Sequence, residues 1–292
     1  MKAATGNMRA VACVLAAVVS IQTGAALAKQ VFVLIGPTGT TALRILFAAC
    51  ILLPVFRPWQ RRLSWEEAKL VLPYGAALGI MNCFFYLSIS RIPLGIAIAL
   101  EFTGPLTVAL LASRRPLDIV WAICAIAGII CILPLGNLSN ALDPIGILYA
   151  FIAGACWAGY ILFGKRAGRG LQGGIAVSYG MMIAALIAVP VGLTTNGLAL
   201  FNWQALPLAL GVAALSSALP YSLEMFALKQ LPAKTFGILM SLEPAVGALS
   251  GLIILKEYLT SLQWAAVALV IVASAGSVMS SREKPDLAEG GA

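Results

Sequence analysis

Histidine is missing from this chain of 292 residues, and charged residues make up only 10% of it, against roughly 25% in an ordinary soluble domain. The first absence removes the side chain most often used for metal binding and for proton transfer near neutral pH. The second excludes a soluble surface. Six cysteines are present, Cys13, Cys50, Cys83, Cys124, Cys131 and Cys156, but without a CxxC pair. Zinc and redox motifs are therefore absent, neither a metal nor another cofactor is expected, and the thiols read as small apolar fillers. A phosphate-cradling glycine loop is lacking too, which argues against ATP-driven work. No segment sustains the strand alternation of a membrane barrel.

What fills the chain is apolar: 61% of its residues are hydrophobic, so the bilayer must act as solvent. A crossing needs about 20 apolar residues. Charges, prolines and polar clusters divide the sequence into ten such spans, near Ala10 to Ala28, Thr38 to Phe56, Leu70 to Ser90, Ile92 to Ala112, Leu117 to Leu135, Ile145 to Gly164, Gly174 to Thr194, Ala205 to Leu228, Thr235 to Leu255 and Thr260 to Ser280. The fold class expected is all-α integral membrane. Trp59, Trp65 and Trp203 fall at span ends, as interfacial aromatics do.

With the N-terminus in the cytoplasm, all but Lys29, Arg44, Arg91 and Lys256 of the 19 Lys and Arg fall on the cytoplasmic side. The positive-inside rule thus places both termini there. The net charge of +8 follows from this asymmetry and is no sign of nucleic-acid binding. Lys2 and Arg9, an apolar run, and Ala26-Leu27-Ala28 before Lys29 imitate a cleavable secretory signal. The run is longer than a usual signal core, however, and it has a counterpart later in the chain.

That counterpart belongs to a repeat. Lys29 and Pro54 recur 136 residues on as Lys165 and Pro190, and Pro93 and Pro105 recur 139 residues on as Pro232 and Pro244. Lys29 and Lys165 read as the closing residues of their helices. Two five-helix units are expected, 10–135 and 145–280, followed by a short cytoplasmic tail, 282–292. Five is an odd number, so the second unit enters the membrane inverted. Such pairs can open one central site to either side in turn.

Four ionisable residues lie well inside spans: Arg44, Glu101, Glu224 and Glu243. A charge at the bilayer centre costs about 2.5 to 3.5 kcal/mol on insertion scales, so such groups face a polar interior and mark transport paths. Without histidine, carboxylates remain to bind and release a coupling proton. Pro105 deprives the Glu101 carbonyl of its helical amide partner, so a free backbone acceptor lies beside an acid. In Ser241-Leu242-Glu243-Pro244 a second acid adjoins the equivalent proline, although repeat alignment pairs Glu243 with Gly104. The blander reading is a protonated carboxyl that hydrogen-bonds a neighbouring helix and only fixes packing. Glu224, one turn after Pro220, stands near the cytoplasmic end, where an acid can simply reach water.

Arg44 offers a planar fork suited to a carboxylate, the alternatives being a pair with one of the glutamates or snorkelling to the outer interface. Asn82 and Tyr86 share a helical face at a spacing of four, Trp157 and Tyr160 are neighbours on the sixth span, and Ser20, Gln22 and Thr23 make the first span polar. Each is a candidate for a small hydrogen-bonding ligand, or else for an interhelical bond worth around 0.6 kcal/mol. Gly75 with Gly79, and Gly247 with Gly251, permit close helix approach.

The stretches Pro93 to Leu106, Ser113-Arg114-Arg115-Pro116, Gly154-Ala155-Cys156-Trp157-Ala158, Leu219 to Met225 and Ser241-Leu242-Glu243-Pro244 together resemble the threonine/homoserine exporter group of the EamA branch of the drug/metabolite transporter superfamily. The likeness runs from about Ala10 to Ser281. It implies a ten-helix inverted-repeat carrier of the bacterial inner membrane that moves small amino acids out of the cell. Such a carrier is no enzyme, and its partners are the substrate, membrane lipid and a coupling proton, with oligomeric state left open. A zwitterion suits a site of both signs: Arg44 for the carboxylate, Glu101 or Glu243 for the ammonium group or the proton, Glu224 as a further proton carrier, and Asn82, Tyr86, Trp157 and Tyr160 as lining. The competing readings are broad metabolite or drug efflux on the same fold, a membrane enzyme, which lacks a convergent catalytic set, and a structural subunit, which would not require buried acids in both halves.

Overall fold

The structure, a computed structural model, describes residues 2–61, 63–112, 117–132, 142–171, 173–228, 231 and 233–280. Among these, every regular element is helical. The Ser113-Arg114-Arg115-Pro116 turn, the end of the fifth span at 133–135, the tail 282–292, and Arg62, Lys229 and Pro232 lie outside the described residues. Six stretches are long and apolar enough to cross a membrane: Met8–Phe56, Trp65–Ile89, Pro144–Gly168, Gly174–Phe201, Thr235–Leu255 and Ser261–Met279. Shorter apolar helices cover Leu94–Val108, Ile119–Cys131 and Ala205–Ala218.

Helix α1 (Lys2–Phe56) corrects the expected boundary at Lys29. No glycine or proline occurs from Ala25 to Ile35, and a lone lysine does not stop a helix, so Lys29 sits in mid-helix. The joint is Gly36, at φ 66° and ψ 172°, a left-handed conformation that glycine adopts without steric penalty. A Cβ there would stand 2.8 Å from Asn196 Oδ1. Pro37 then starts the second limb, and the Thr40 and Thr41 hydroxyls each donate at 2.8 Å to the Gly36 and Pro37 carbonyls. The chain folds back at this joint. Ser20 and Gly24 on the first limb and Arg44 on the second all meet the segment Leu215 to Ser217; a straight helix from residue 20 to residue 44 would hold its ends about 36 Å apart.

Helices α2 (Trp65–Ile89), α5 (Leu117–Ile132), α6 (Pro144–Gly170), α7 (Gly173–Asn196) and α12 (Ser261–Ser280) are continuous. The fourth and ninth expected spans are not. The fourth is α3 (Leu94–Glu101) and α4 (Thr103–Ala112), parted at Phe102. The ninth is α10 (Ala233–Met240), a turn at Ser241 and Leu242, α11 (Glu243–Ser250) and a π-helical turn Gly251–Leu255. The eighth is α8 (Ala205–Ala213), a π-helical turn Ala214–Ala218 and α9 (Leu219–Leu228). Proline explains the first break, since Pro105 gives Glu101 no amide, and Pro244 at the start of α11 plays the matching part.

Packing is tightest where glycine permits it. α2 lies on α6 and α7, α1 on α7 and α8, and α5 on α12. Gly75 and Gly79 admit Ile183 and Ala184 of α7, where added Cβ atoms would come within 2.6 and 2.9 Å. At the α3/α4 break, Gly104 rests directly on α6: a Cβ would be 1.9 Å from the Gly154 carbonyl oxygen, and one on Gly154 would be 2.7 Å from the Glu101 carbonyl oxygen. The outer faces carry exposed leucines, isoleucines and valines such as Val33, Leu111 and Leu186, the inverse of a soluble protein.

Polar contacts fix the ends. Ser64 and Glu67 form a reciprocal capping box on α2, and Asp143 caps α6 by accepting from the Ile145 amide at 2.8 Å. Arg91 donates to Asp143 at 2.7 Å and, with that cap, holds its carboxyl below the usual aspartate range. The contact is present at neutral pH and lost only in acid, as the pH falls through that lowered value.

Gly104→Ala is expected to destabilise the protein by at least the about 1–3 kcal/mol usual for overpacking. Gly168→Ala, in α6 and where a Cβ meets nothing within 4 Å, should not destabilise and is expected to gain up to about 1 kcal/mol. Thermal unfolding of both purified variants in detergent measures the contrast.

Candidate functional site

The second limb of α1 carries Arg44 into the interior, where it is 6% exposed. It does not snorkel. Its guanidinium donates from Nη1 to Ser216 Oγ at 3.2 Å and Ser217 Oγ at 3.3 Å, and from Nη2 to Asn82 Oδ1. Its carbon lies 4.8 Å from the centre of the Tyr86 ring, a cation–π contact that helps solvate the charge. Asn82 and Tyr86, one turn apart on α2, thus act on one group, as their spacing implied, and Asn82 is itself held by donating to Leu78 O at 2.8 Å.

Every direct partner of Arg44 is neutral. Ion pairs among the described residues join Lys29 to Glu257, Arg61 to Glu67, Lys69 to Glu66 and Arg91 to Asp143, and none involves Arg44. The alternative in which Arg44 pairs with an intramembrane glutamate therefore does not hold. Glu101 is nevertheless within electrostatic reach of it.

The two central acids stand at the two helix breaks. Glu101 is the last residue of α3 and Glu243 the first of α11, and they are 6% and 5% exposed. Glu243 accepts from Gln22 Nε2 on α1 at 3.4 Å and feels both Glu224 and Glu101 electrostatically. Its place in the first turn of α11 suits a negative charge, because the free amides of a helix start carry partial positive charge. Gly247, one turn on, lets Ile98 of α3 and Gln22 approach, so α1, α3 and α11 meet around the acids.

The remaining candidates fall on either side. Trp157 on α6 sets its ring edge-on to Phe102, centroids 5.3 Å apart, and so packs on the α3/α4 break. Tyr160 is not beside Arg44. It stacks on Tyr74 at 4.9 Å, the two hydroxyls 3.4 Å apart, and lies in reach of Glu224. These two aromatics form a branch that joins the acids through Glu224. Three buried polar atoms of the cluster lack a hydrogen-bond partner: Gln22 Oε1, Arg44 Nε and Glu224 Oε1. Each unsatisfied group of this kind costs about 1–3 kcal/mol, so their concentration here makes the cluster a candidate for a polar ligand.

Sequence reasoning missed Ser216, Ser217 and Glu257. The serine pair was visible only as two small polar residues in an apolar run. Its importance comes from the π-helical turn, a feature frequent at functional sites, which aims both hydroxyls at Arg44. Gly24 makes room for that turn, where a Cβ would stand 2.9 Å from Ser216 Cβ, and Ser20 donates to Leu215 O at 2.6 Å.

Comparison with known proteins agrees with a carrier. Residues 144–279 match the EamA-like transporter family. The threonine/homoserine exporter RhtA of Salmonella typhimurium LT2 is 52% identical over 273 residues, which is 94% of this chain and 92% of that protein. RhtA of Escherichia coli K12 is 52% identical over 275 residues, 94% and 93% of the two chains. A solved crystal structure at 18% identity superposes with a TM-score of 0.59 over 94% of this chain and 98% of its own, which shows a shared fold alone. With half of its residues shared along nearly its whole length, this chain belongs to the RhtA family, a family of multi-pass membrane transporters and not of enzymes.

Proposed function

We propose that the protein exports small amino acids, threonine and homoserine, across the bacterial inner membrane by exchange for protons. The relatives that share 52% of its residues are threonine/homoserine exporters, which supplies the substrate class. The observation that carries the mechanism is the buried Arg44, held by neutral partners, in reach of Glu101 but ion-paired to no carboxylate. In this reading the substrate carboxylate takes the free Nε edge of Arg44, lined by Asn82 and Tyr86, while Trp157 and Tyr160 bound the chamber. Glu101 or Glu243 meets the ammonium group or the proton, and Glu224 relays the proton. No cofactor takes part.

The proposed architecture is ten crossings in two inverted units, 10–135 and 145–280, with both termini and the tail 282–292 in the cytoplasm. The two limbs of α1 give two crossings. α2, α3 with α4, α5, α6, α7, α8 with α9, α10 with α11, and α12 give one each. Breaks at Phe102 and at Ser241-Leu242, beside the recurring prolines, support the repeat. Discontinuous helices at mid-membrane are where carriers of inverted-repeat design bind substrate. The basic residues support the orientation.

Efflux of radiolabelled threonine from loaded proteoliposomes, with and without an imposed proton gradient, is the direct test. Gradient-dependent efflux is expected; a correctly inserted protein that moves only some other metabolite would replace the substrate assignment with broad efflux. Glu101→Gln should abolish export at unchanged membrane levels, and full export by that variant would remove Glu101 from the path. Arg44→Lys keeps the charge but loses the fork, and is expected to lower threonine export at least tenfold, equivalent to about 1.4 kcal/mol, mainly through a raised half-saturation concentration.

A further inference from the structure

Lys29 and Glu257 are 228 residues apart in sequence and form an ion pair at partial exposure, 20% and 17%. Neither has a role in the site described above. Each also makes a second contact where the chain enters α3. Lys29 Nζ donates to the Ile92 carbonyl at 3.2 Å, and Glu257 Oε2 accepts from the Leu94 amide, the first of α3, at 2.7 Å. Glu257 is aimed by the left-handed residue Lys256, φ 58°, and by its own amide, which donates to Gly251 O at 3.0 Å. One knot therefore ties α1, the start of α3 and the end of the π-helical turn that follows α11.

These are the same three strands of structure that hold the acids. On α1, Gln22, Ala26 and Lys29 follow at helical spacing and share a face. Gln22 touches Glu243 at one end of it and Lys29 touches Glu257 at the other. On α3, the chain runs from Glu101 through Ile98 to Leu94. Opposite, α11 runs from Glu243 through Gly247, which abuts Ile98, to Gly251, where a Cβ would meet Leu94 Cβ at 3.6 Å. The wedge between α1, α3 and α11 thus ends in the knot, on the side poor in basic residues, which faces outward in the orientation proposed above.

We propose that Lys29 and Glu257 are the outer gate of the export path, positioning residues that hold α1, α3 and α11 together while the central site is shut to the outside and that part when it opens there. The proposal rests on the exporter reading only for the direction of transport. The gate suits its task physically. An ion pair that water already reaches exchanges its partner for hydration at less cost than a fully buried one, so it opens and closes without a deep trap, while the charge-assisted hydrogen bonds to the Ile92 carbonyl and the Leu94 amide set its register.

The test places a thiol beneath the gate by Ala26→Cys, a site 0% exposed, and measures its modification by a membrane-impermeant maleimide added from outside, against the same protein without that substitution. Glu257→Gln and Lys29→Met are each expected to raise the labelling rate by about tenfold, a usual size of coupling between sites, and to lower threonine export in proteoliposomes. Unchanged labelling in both, in inserted protein, would overturn the gate; two variants guard against one failing to insert. Because labelling needs no substrate, faster labelling in a protein that does not move threonine would leave the gate standing and remove the substrate reading alone.

Discussion

A guanidinium buried in an apolar bundle has to be solvated by protein, and much of this structure follows from how that is done for Arg44. Carboxylate partners would neutralise it and leave nothing for a ligand. Neutral partners, the Asn82 amide, two serine hydroxyls and the Tyr86 ring, spread the charge and keep it available. Each partner places a demand on the backbone. Ser216 and Ser217 reach Arg44 through the π-helical turn, that turn presses on α1 at Gly24, and both limbs of α1 meet it only because Gly36 folds the helix back. A charge, a bulge, a close approach and a hairpin are in this way one arrangement.

The acids obey a complementary logic. An unbroken helix satisfies its own carbonyls and amides and offers a passing ligand side chains alone. Breaks at Phe102 and at Ser241-Leu242 release backbone groups beside Glu101 and Glu243, so backbone and carboxylate act at one level. The break in α3/α4 is kept in place by backbone lying on backbone at Gly104 and Gly154. In hydrocarbon, irregular backbone is tolerated only where protein or a polar cavity covers it, and α1 and α6 provide that cover.

Part of this was legible in the sequence. The apolar spans, the interior position of Arg44, Glu101 and Glu243, and the shared face of Asn82 and Tyr86 depend on composition and on helical period, which are local properties. The proline signal at Pro105 predicted a disturbed carbonyl and the structure has a helix break there. What escaped was non-local or depended on register. Lys29 looked like a helix end because a lysine in an apolar run usually seeks water; here Glu257 supplies the counter-charge from 228 residues away, and no local pattern reveals that. Ser216 and Ser217 matter only because one turn is widened, and a π-helical turn has no strong sequence mark. Tyr160 shares a helix with Trp157, but a spacing of three residues did not settle which neighbour each ring would meet, and they meet Tyr74 and Phe102.

The two ends of the first limb of α1 are sealed by different physics. Near its start, Ala10, Val14 and Val18 pack with Ala227 and Leu231 in an apolar cluster; at the far end the proposed closure is the partly buried pair of Lys29 and Glu257. Separating an apolar cluster exposes surface at about 25 cal/mol per Å², a term that weakens on cooling and is insensitive to moderate salt. Separating an ion pair that water already reaches replaces each partner by hydration and responds to ionic strength. An alternating carrier closed by both seals would then meet a higher barrier at its apolar end unless something adds energy there. In the proposed mechanism, substrate and proton at Arg44, Glu101 and Glu243, where the limb, α3 and α11 converge, would supply it, because any ligand that draws these helices together in one arrangement changes the balance between the two seals.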